Sequence, residues 1–130
     1  MKILVVDDDP DLLSLVGFAL TQSGFVVVKA VDVPSALQVL AAESPDLAIL
    51  DINLPGVSGI ECTRRLKEWQ ADALIIMLTI EEDSERVFRS LEAGATGYLV
   101  KNTPPARILE AIEEVHRGGS PMSSHIARML

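Results

Sequence analysis

A chain of 130 residues, 48% of them apolar, is long enough for one domain with a packed core, and its formal net charge of −8 excludes gripping nucleic acid or an anionic membrane unaided. The single cysteine, Cys62, excludes an internal disulfide and suits a reducing, cytoplasmic setting. A strand pattern begins directly after Lys2 and no apolar run reaches membrane-spanning length, so neither a signal peptide nor a membrane segment is expected.

Short apolar runs alternate with amphipathic ones along the chain. Residues 3–6 form a compact run closed by aspartates, which predicts a buried strand. Residues 10–23 place Leu12, Leu15, Val16, Ala19 and Leu20 at helical spacing, and Gly24 ends them. Leu13 and Phe18 lie off that stripe. Residues 25–30 are β-branched and strand-like. Residues 34–43 predict a helix with Pro34 in its first turn and Ala36, Leu37 and Leu40 on one face. Residues 47–50 and 74–78 read as the third and fourth strands, and 59–69 as the third helix. Residues 84–93 predict a fourth helix with a sparse apolar stripe of Val87, Phe88 and Leu91, stopped by Gly94. Residues 97–100 are a short fifth strand. Thr103 is placed to cap a fifth helix with Pro104 at its first position, running to Arg117. Leu109 lies off its stripe. The tail "GGSPMSSHIARML" reads as a turn and the start of a further helix, more linker than domain end.

Five βα units with continuously apolar strands predict a doubly wound α/β fold. Helices cover both faces of a five-stranded parallel sheet, ordered 2-1-3-4-5 as in flavodoxin-like proteins. Ligands in such sheets bind at the carboxyl ends of the strands. Those ends carry Asp7, Asp8 and Asp9 after strand 1, Asp51 after strand 3, Thr79 after strand 4 and Lys101 after strand 5. Each residue has an ordinary structural role when taken alone. Aspartates cap helices and form turns, threonines end strands, and lysines face water. Their convergence on one crevice is the informative feature. Neighbouring carboxylates repel by roughly one to several kcal/mol per pair, and a hard cation such as Mg²⁺ relieves this. The chemistry suited to the set is phosphoryl transfer to a carboxylate. Asp51 would be the nucleophile, with Lys101 and Thr79 holding phosphoryl oxygens.

The pieces "VVDDD", "PDLAILDINLPGVSGIE", "MLT" and "EAGATGYLVKN", in that order, resemble the response-regulator receiver domain of two-component signalling, a CheY-like fold. The resemblance covers about residues 2–118. It implies Asp51 as phosphoacceptor, a histidine kinase as donor, and a signalling switch, not an enzyme. It implies Mg²⁺ held by Asp8, Asp51 and the backbone carbonyl of Asn53, with Asp7 behind the direct ligands or bound through water. It implies Thr79 and Tyr98 as a switch pair, the threonine turning to the phosphoryl group and the aromatic ring following inward.

Two positions depart from the family pattern. Asn102 stands where many receivers have proline, usually preceded by a cis peptide, which leaves the geometry of Lys101 open. Ile80 stands where a small residue is usual, and a branched side chain at the rim is expected to slow small phosphoryl donors. The "KN" after strand 5 and the ending "AIEEVHRGGSPMSS" resemble transcription factors with a C-terminal LuxR-type helix-turn-helix domain. Residues 1–118 would then be the receiver and 119–130 a linker or the start of a helix leading to an output domain. DNA would be met only through that absent domain. Leu13, Phe18 and Leu109 are candidates for a homodimer face between helices 1 and 5. The helix 4–strand 5–helix 5 face is the alternative. Cys62, one turn before Leu66, reads as a core residue, and His116 and His125 as surface residues.

Two competing functions have weaker support. Asp7 and Asp9 with one residue between them also suit a haloacid-dehalogenase-type phosphatase, but no late acidic pair follows strand 4. A stand-alone receiver acting by protein docking is disfavoured by the linker-like tail.

Overall fold

The computed structural model describes residues 1–54, 58–80 and 83–129, apart from the side chains of His125 and Met129. The elements are β1 (Lys2–Val6), α1 (Pro10–Gln22), β2 (Val26–Ala30), α2 (Val33–Glu43), β3 (Leu47–Leu50), α3 (Gly59–Trp69), β4 (Leu74–Thr79), α4 (Ser84–Glu92), β5 (Gly97–Val100), α5 (Pro105–His116) and α6 (Ser124–Met129). The strands pair in parallel in the order β2-β1-β3-β4-β5, as the alternation of runs predicts.

The pleat of each strand feeds two core layers. Leu4, Val6, Leu50, Ile75 and Met77 point into the layer under α2, α3 and α4, where Ala36, Leu40, Cys62, Leu66 and Val87 meet them. Ile3, Val5, Ile49, Ile76 and Leu78 point the other way, against Val16 and Leu20 of α1 and Ile108, Ile112 and Val115 of α5. Alternate strand residues are thus apolar on both sides because both sides are covered. Cys62 is fully buried and its thiol is pushed up to about 11 by burial, as an inert core residue should be. His116 is exposed, and the side chain of His125 lies outside the described residues.

Three faces differ from expectation. Helix α1 buries Leu13, Val16, Gly17 and Leu20, while Leu15 is 57% exposed. Four apolar residues crowd its first two turns and support two overlapping stripes; the one containing Gly17 lets the helix approach the aliphatic part of Lys29. Leu13 is therefore core, and of the proposed α1–α5 dimer face only Phe18 is exposed, Leu109 being half-buried. Helix α4 buries Val87 and Ser90 and turns Phe88 outward. The Ser90 hydroxyl is satisfied by the Arg86 carbonyl one turn back, at 2.9 Å. Helix α5 starts one residue late. Pro104 is its N-cap and Pro105 its first residue, because the Thr103 hydroxyl donates instead to the Val100 carbonyl at 2.6 Å. Beyond α5, residues 120–123 run beside β5, and α6 packs on α4.

Candidate functional site

Strand register brings the acids together. Val6 lies opposite Leu50, so the next residues, Asp7 and Asp51, emerge side by side at the carboxyl ends of β1 and β3. Their backbones are fixed there: Asp51 N–H donates to the Val6 carbonyl at 3.2 Å and Asp7 N–H to the Ala30 carbonyl at 3.1 Å. Both side chains are buried, and Asp8 between Asp7 and the helix cap is exposed. On the other side of β3, Thr79 pairs with Val100, and Lys101 N–H donates to the Thr79 carbonyl at 3.0 Å. The Lys101 side chain crosses the crevice. Its Nζ lies 2.8 Å from Asp51 Oδ2 and 3.0 Å from Asp7 Oδ2. The Lys101–Asn102 peptide is trans, and the amine reaches both acids in that form. Thr79 and Tyr98 are both fully buried, Tyr98 in the layer that holds Val87 and Ile126.

The run "DDDP" divides into three tasks. Asp7 faces the crevice. Asp8 stays in water, with an oxygen close to the other two acids. Asp9 caps α1, accepting from Asp11 N–H at 3.0 Å, while its own N–H donates to Asp7 Oδ1 at 2.9 Å. Asn53 N–H holds Asp51 Oδ1 at 3.1 Å, so the acid is oriented by its own loop. Pro55 and Gly56, which follow in the sequence, lie outside the described residues.

Burial is the largest influence on Asp7 and pushes its carboxyl above the ordinary range, against the pull of Asp9 N–H and Lys101. Burial also depresses Lys101, but its hydrogen bonds and charge contacts with Asp51 and Asp7 outweigh this and hold it above its ordinary value. Oxygens of Asp7, Asp8 and Asp51 lie within 4.8 Å of one another. Asp7 Oδ2 is buried with the Lys101 amine, among the described residues, as its one close cation, 3.0 Å away. Three carboxylates with a single amine between two of them leave negative charge that fits a hard oxygen-seeking cation.

Folded Asp7 holds its proton more tightly than in the unfolded chain, where its value is 3.8. Metal-free stability should therefore fall as pH rises from that value through the raised one. Asp7→Asn removes this slope. It is expected to raise metal-free stability near neutral pH by about 1 kcal/mol, a shift of a few degrees in Tm, and to abolish the rise in Tm that Mg²⁺ gives the parent. Thermal melts from about pH 4 to about pH 7.5, with and without Mg²⁺, check both effects; a parent whose Tm ignores Mg²⁺ would contradict them.

One site residue escaped the sequence reading. A Cβ on Gly59 would stand 1.9 Å from the Asp51 carbonyl oxygen, so glycine alone lets α3 start against the backbone of Asp51. The available signal was a glycine opening a helix already capped by Ser58, whose hydroxyl accepts from Glu61 N–H at 3.3 Å. Ile80 is 71% exposed at the end of β4, as a rim residue should be. Ile80→Ala is expected to label faster with acetyl phosphate; equal rates would show that the side chain does not obstruct the donor.

A family model described as the response regulator receiver domain matches residues 3–113. The chain belongs to this family. The receiver is 40% identical over 124 residues to the phosphate regulon transcriptional regulatory protein PhoB of Escherichia coli (strain K12), covering 94% of this chain and 54% of that protein. It is 32% identical to a nitrate/nitrite response regulator protein homolog of Haemophilus influenzae, over all of this chain and 64% of that protein. The receiver thus spans about half the length of PhoB. Its structure is similar to a LuxR-family two-component response regulator from Aurantimonas sp. SI85-9A1, with a TM-score of 0.87 and 33% identity, covering 98% of this chain and 93% of that one. These relatives are regulators, not enzymes, and the phosphatase reading is set aside; Asp9, which it needs at the crevice, is occupied as a helix cap. Among the described residues no helix is long and apolar enough to cross a membrane.

Proposed function

We propose that this receiver is the phosphoacceptor switch of a cytoplasmic two-component regulator, taking a phosphoryl group from a histidine kinase onto Asp51. The observation that carries the reading is the Lys101 amine held between Asp51 and Asp7, at 2.8 and 3.0 Å, with Thr79 at the adjoining strand end. An Asp51 oxygen attacks the phosphorus of the donor. The new P–O bond forms as the bond to the kinase imidazole nitrogen breaks, and the electron pair leaves with that nitrogen. Lys101 and the Thr79 hydroxyl hold phosphoryl oxygens, the first by a charge-assisted bond. Asp8, Asp51 and the Asn53 carbonyl would hold Mg²⁺, with Asp7 behind them, and the ion would supply neutralisation of phosphoryl charge. Thr79 and Tyr98 then relay occupancy to α4.

Output is read as control of transcription through a DNA-binding domain joined after residues 119–130. That PhoB is a transcriptional regulatory protein supports that output, as does the similarity to a LuxR-family response regulator. The test is the stoichiometry of stable labelling by acetyl phosphate with Mg²⁺. The parent should approach one phosphoryl group per chain and Asp51→Asn none. Undiminished labelling of Asp51→Asn would overturn the assignment.

A further inference from the structure

Three of the chain's seven arginines meet in one place, although the chain as a whole carries a net charge of −8. Arg64 of α3 and Arg86 and Arg89 of α4 line a cleft of about 260 Å³, together with Ser58, Ile60 and Glu61. The cleft lies between the first two turns of the two helices, and the Lys67 side chain approaches Gly94 where they end. None of its lining residues belongs to the acid cluster of Asp7, Asp8 and Asp51. Sequence spacing accounts for the convergence. Glu61 and Arg64 stand three apart on α3, and Arg86 and Arg89 three apart on α4, so each pair shares one helix face.

We propose that this cleft binds a small phosphate-bearing molecule, its anionic oxygens held by the guanidinium forks of Arg64, Arg86 and Arg89. The planar fork matches phosphate oxygens two at a time. Arg86 is half-buried, so part of the cost of fixing its side chain is met in the free protein. Arg64 and Arg89 are exposed and pair with acids of their own helices, Arg64 with Glu61 and Arg89 with Glu85 at 2.6 Å. Such exposed pairs contribute little and yield readily to a better anion. Neither acid is stranded when its arginine turns. Glu61 keeps Arg65 at 3.5 Å, and Glu85 is 71% exposed to water. The Ser58 hydroxyl accepts from Glu61 N–H, which leaves its proton for an oxygen in the cleft. Three arginines set against Glu61 give the lining a charge of about +2, the complement of a phosphate dianion. Ile60 offers an apolar wall to the uncharged part of the ligand. The cleft falls below the roughly 300–1,000 Å³ of drug-sized sites, which favours a ligand the size of pyrophosphate or a small phosphate ester over a peptide. The proposal stands apart from the reading of Asp51 as phosphoacceptor.

The test titrates the full chain with pyrophosphate and, separately, with glycerol 3-phosphate, followed by NMR. EDTA and low salt keep metal-bridged phosphate off the aspartates and charge screening weak. The amides of Ile60 and Glu61 and the Nε–H signals of the three arginines should shift and saturate, with a Kd on the order of 1 mM or tighter. Arg64→Gln and Arg89→Gln alter exposed side chains, so the fold should survive, and each should weaken binding about tenfold. Arg86→Lys keeps the charge but loses the fork and should also weaken it. Arg117→Gln on α5 makes the same change of charge away from the cleft and should leave binding as in the parent. Saturation by both compounds, or by pyrophosphate alone as an inorganic ligand, supports the site. Shifts that grow without saturating, or that Arg117→Gln weakens as much as Arg64→Gln does, would mean an adventitious ion only and overturn it. Tighter binding of hexaglutamate than of either phosphate compound would overturn it too, making the cleft a dock for an acidic protein segment.

Discussion

Lys101→Ala is expected to slow labelling of Asp51 by acetyl phosphate on the order of 10²–10³-fold, the usual effect of removing one preorganised donor from a developing anion. The same change should destabilise the metal-free protein by about 3 kcal/mol near neutral pH. It leaves two buried carboxylates facing each other without the amine between them, and the figure is at the lower end for a broken buried pair because the Lys101 side chain is 19% exposed. Lowering the pH should shrink the stability loss, because protonating Asp7 removes one of the repelling charges. Adding Mg²⁺ should restore much of the stability and little of the rate, since a cation can neutralise the acids but cannot stand in for an amine at a separate phosphoryl oxygen. Urea melts at two pH values and single-turnover labelling separate the two effects. A variant that labels at the parent rate would remove Lys101 from the chemistry.

Gly59→Ala should disturb the site almost as strongly without touching a charged group. The added methyl would meet the Asp51 carbonyl oxygen at 1.9 Å, with the Asp51 carbonyl carbon at 2.7 Å and Ile52 Cα at 2.8 Å. These are backbone atoms and have no rotamer to escape into, so either α3 retreats or the phosphoacceptor moves. The expected results are a stability loss of roughly 1–3 kcal/mol and at least about tenfold slower labelling. Gly17→Ala is the matched control. Its methyl would meet the end of the flexible Lys29 side chain, which can swing aside. Alanine also favours a helix interior by about 1 kcal/mol over glycine. That variant should label normally and be as stable as the parent or more so. Equal behaviour of the two variants would show that the contact with Asp51 has no consequence.

The sheet order and the approach of Asp7, Asp51 and Lys101, with Thr79 ending the neighbouring strand, were legible because each depends on a local pattern. Apolar runs fix the strands, and the residue after each run must emerge at the crevice. The buried face of α1 was not legible. Leu12, Leu13, Leu15 and Val16 give the helix two usable stripes, and only contact with β2 and α5 selects the one through Leu13. The importance of Gly59 was hidden because its partner is backbone, which leaves no mark on composition. The tail reads as a linker for a related reason. Ser120, Pro121 and Ser123 dock through main-chain carbonyls and hydroxyls, and the complementary signal, Gly97, lies in another element.

The phosphoacceptor assignment is tested most directly by trapping the adduct. After incubation with acetyl phosphate and Mg²⁺, borohydride reduces an acyl phosphate to an alcohol, and peptide mapping by mass spectrometry then locates the changed residue. Homoserine at position 51 and nowhere else is the predicted result. Reduction at Asp7, at Asp8 or at no aspartate would contradict it.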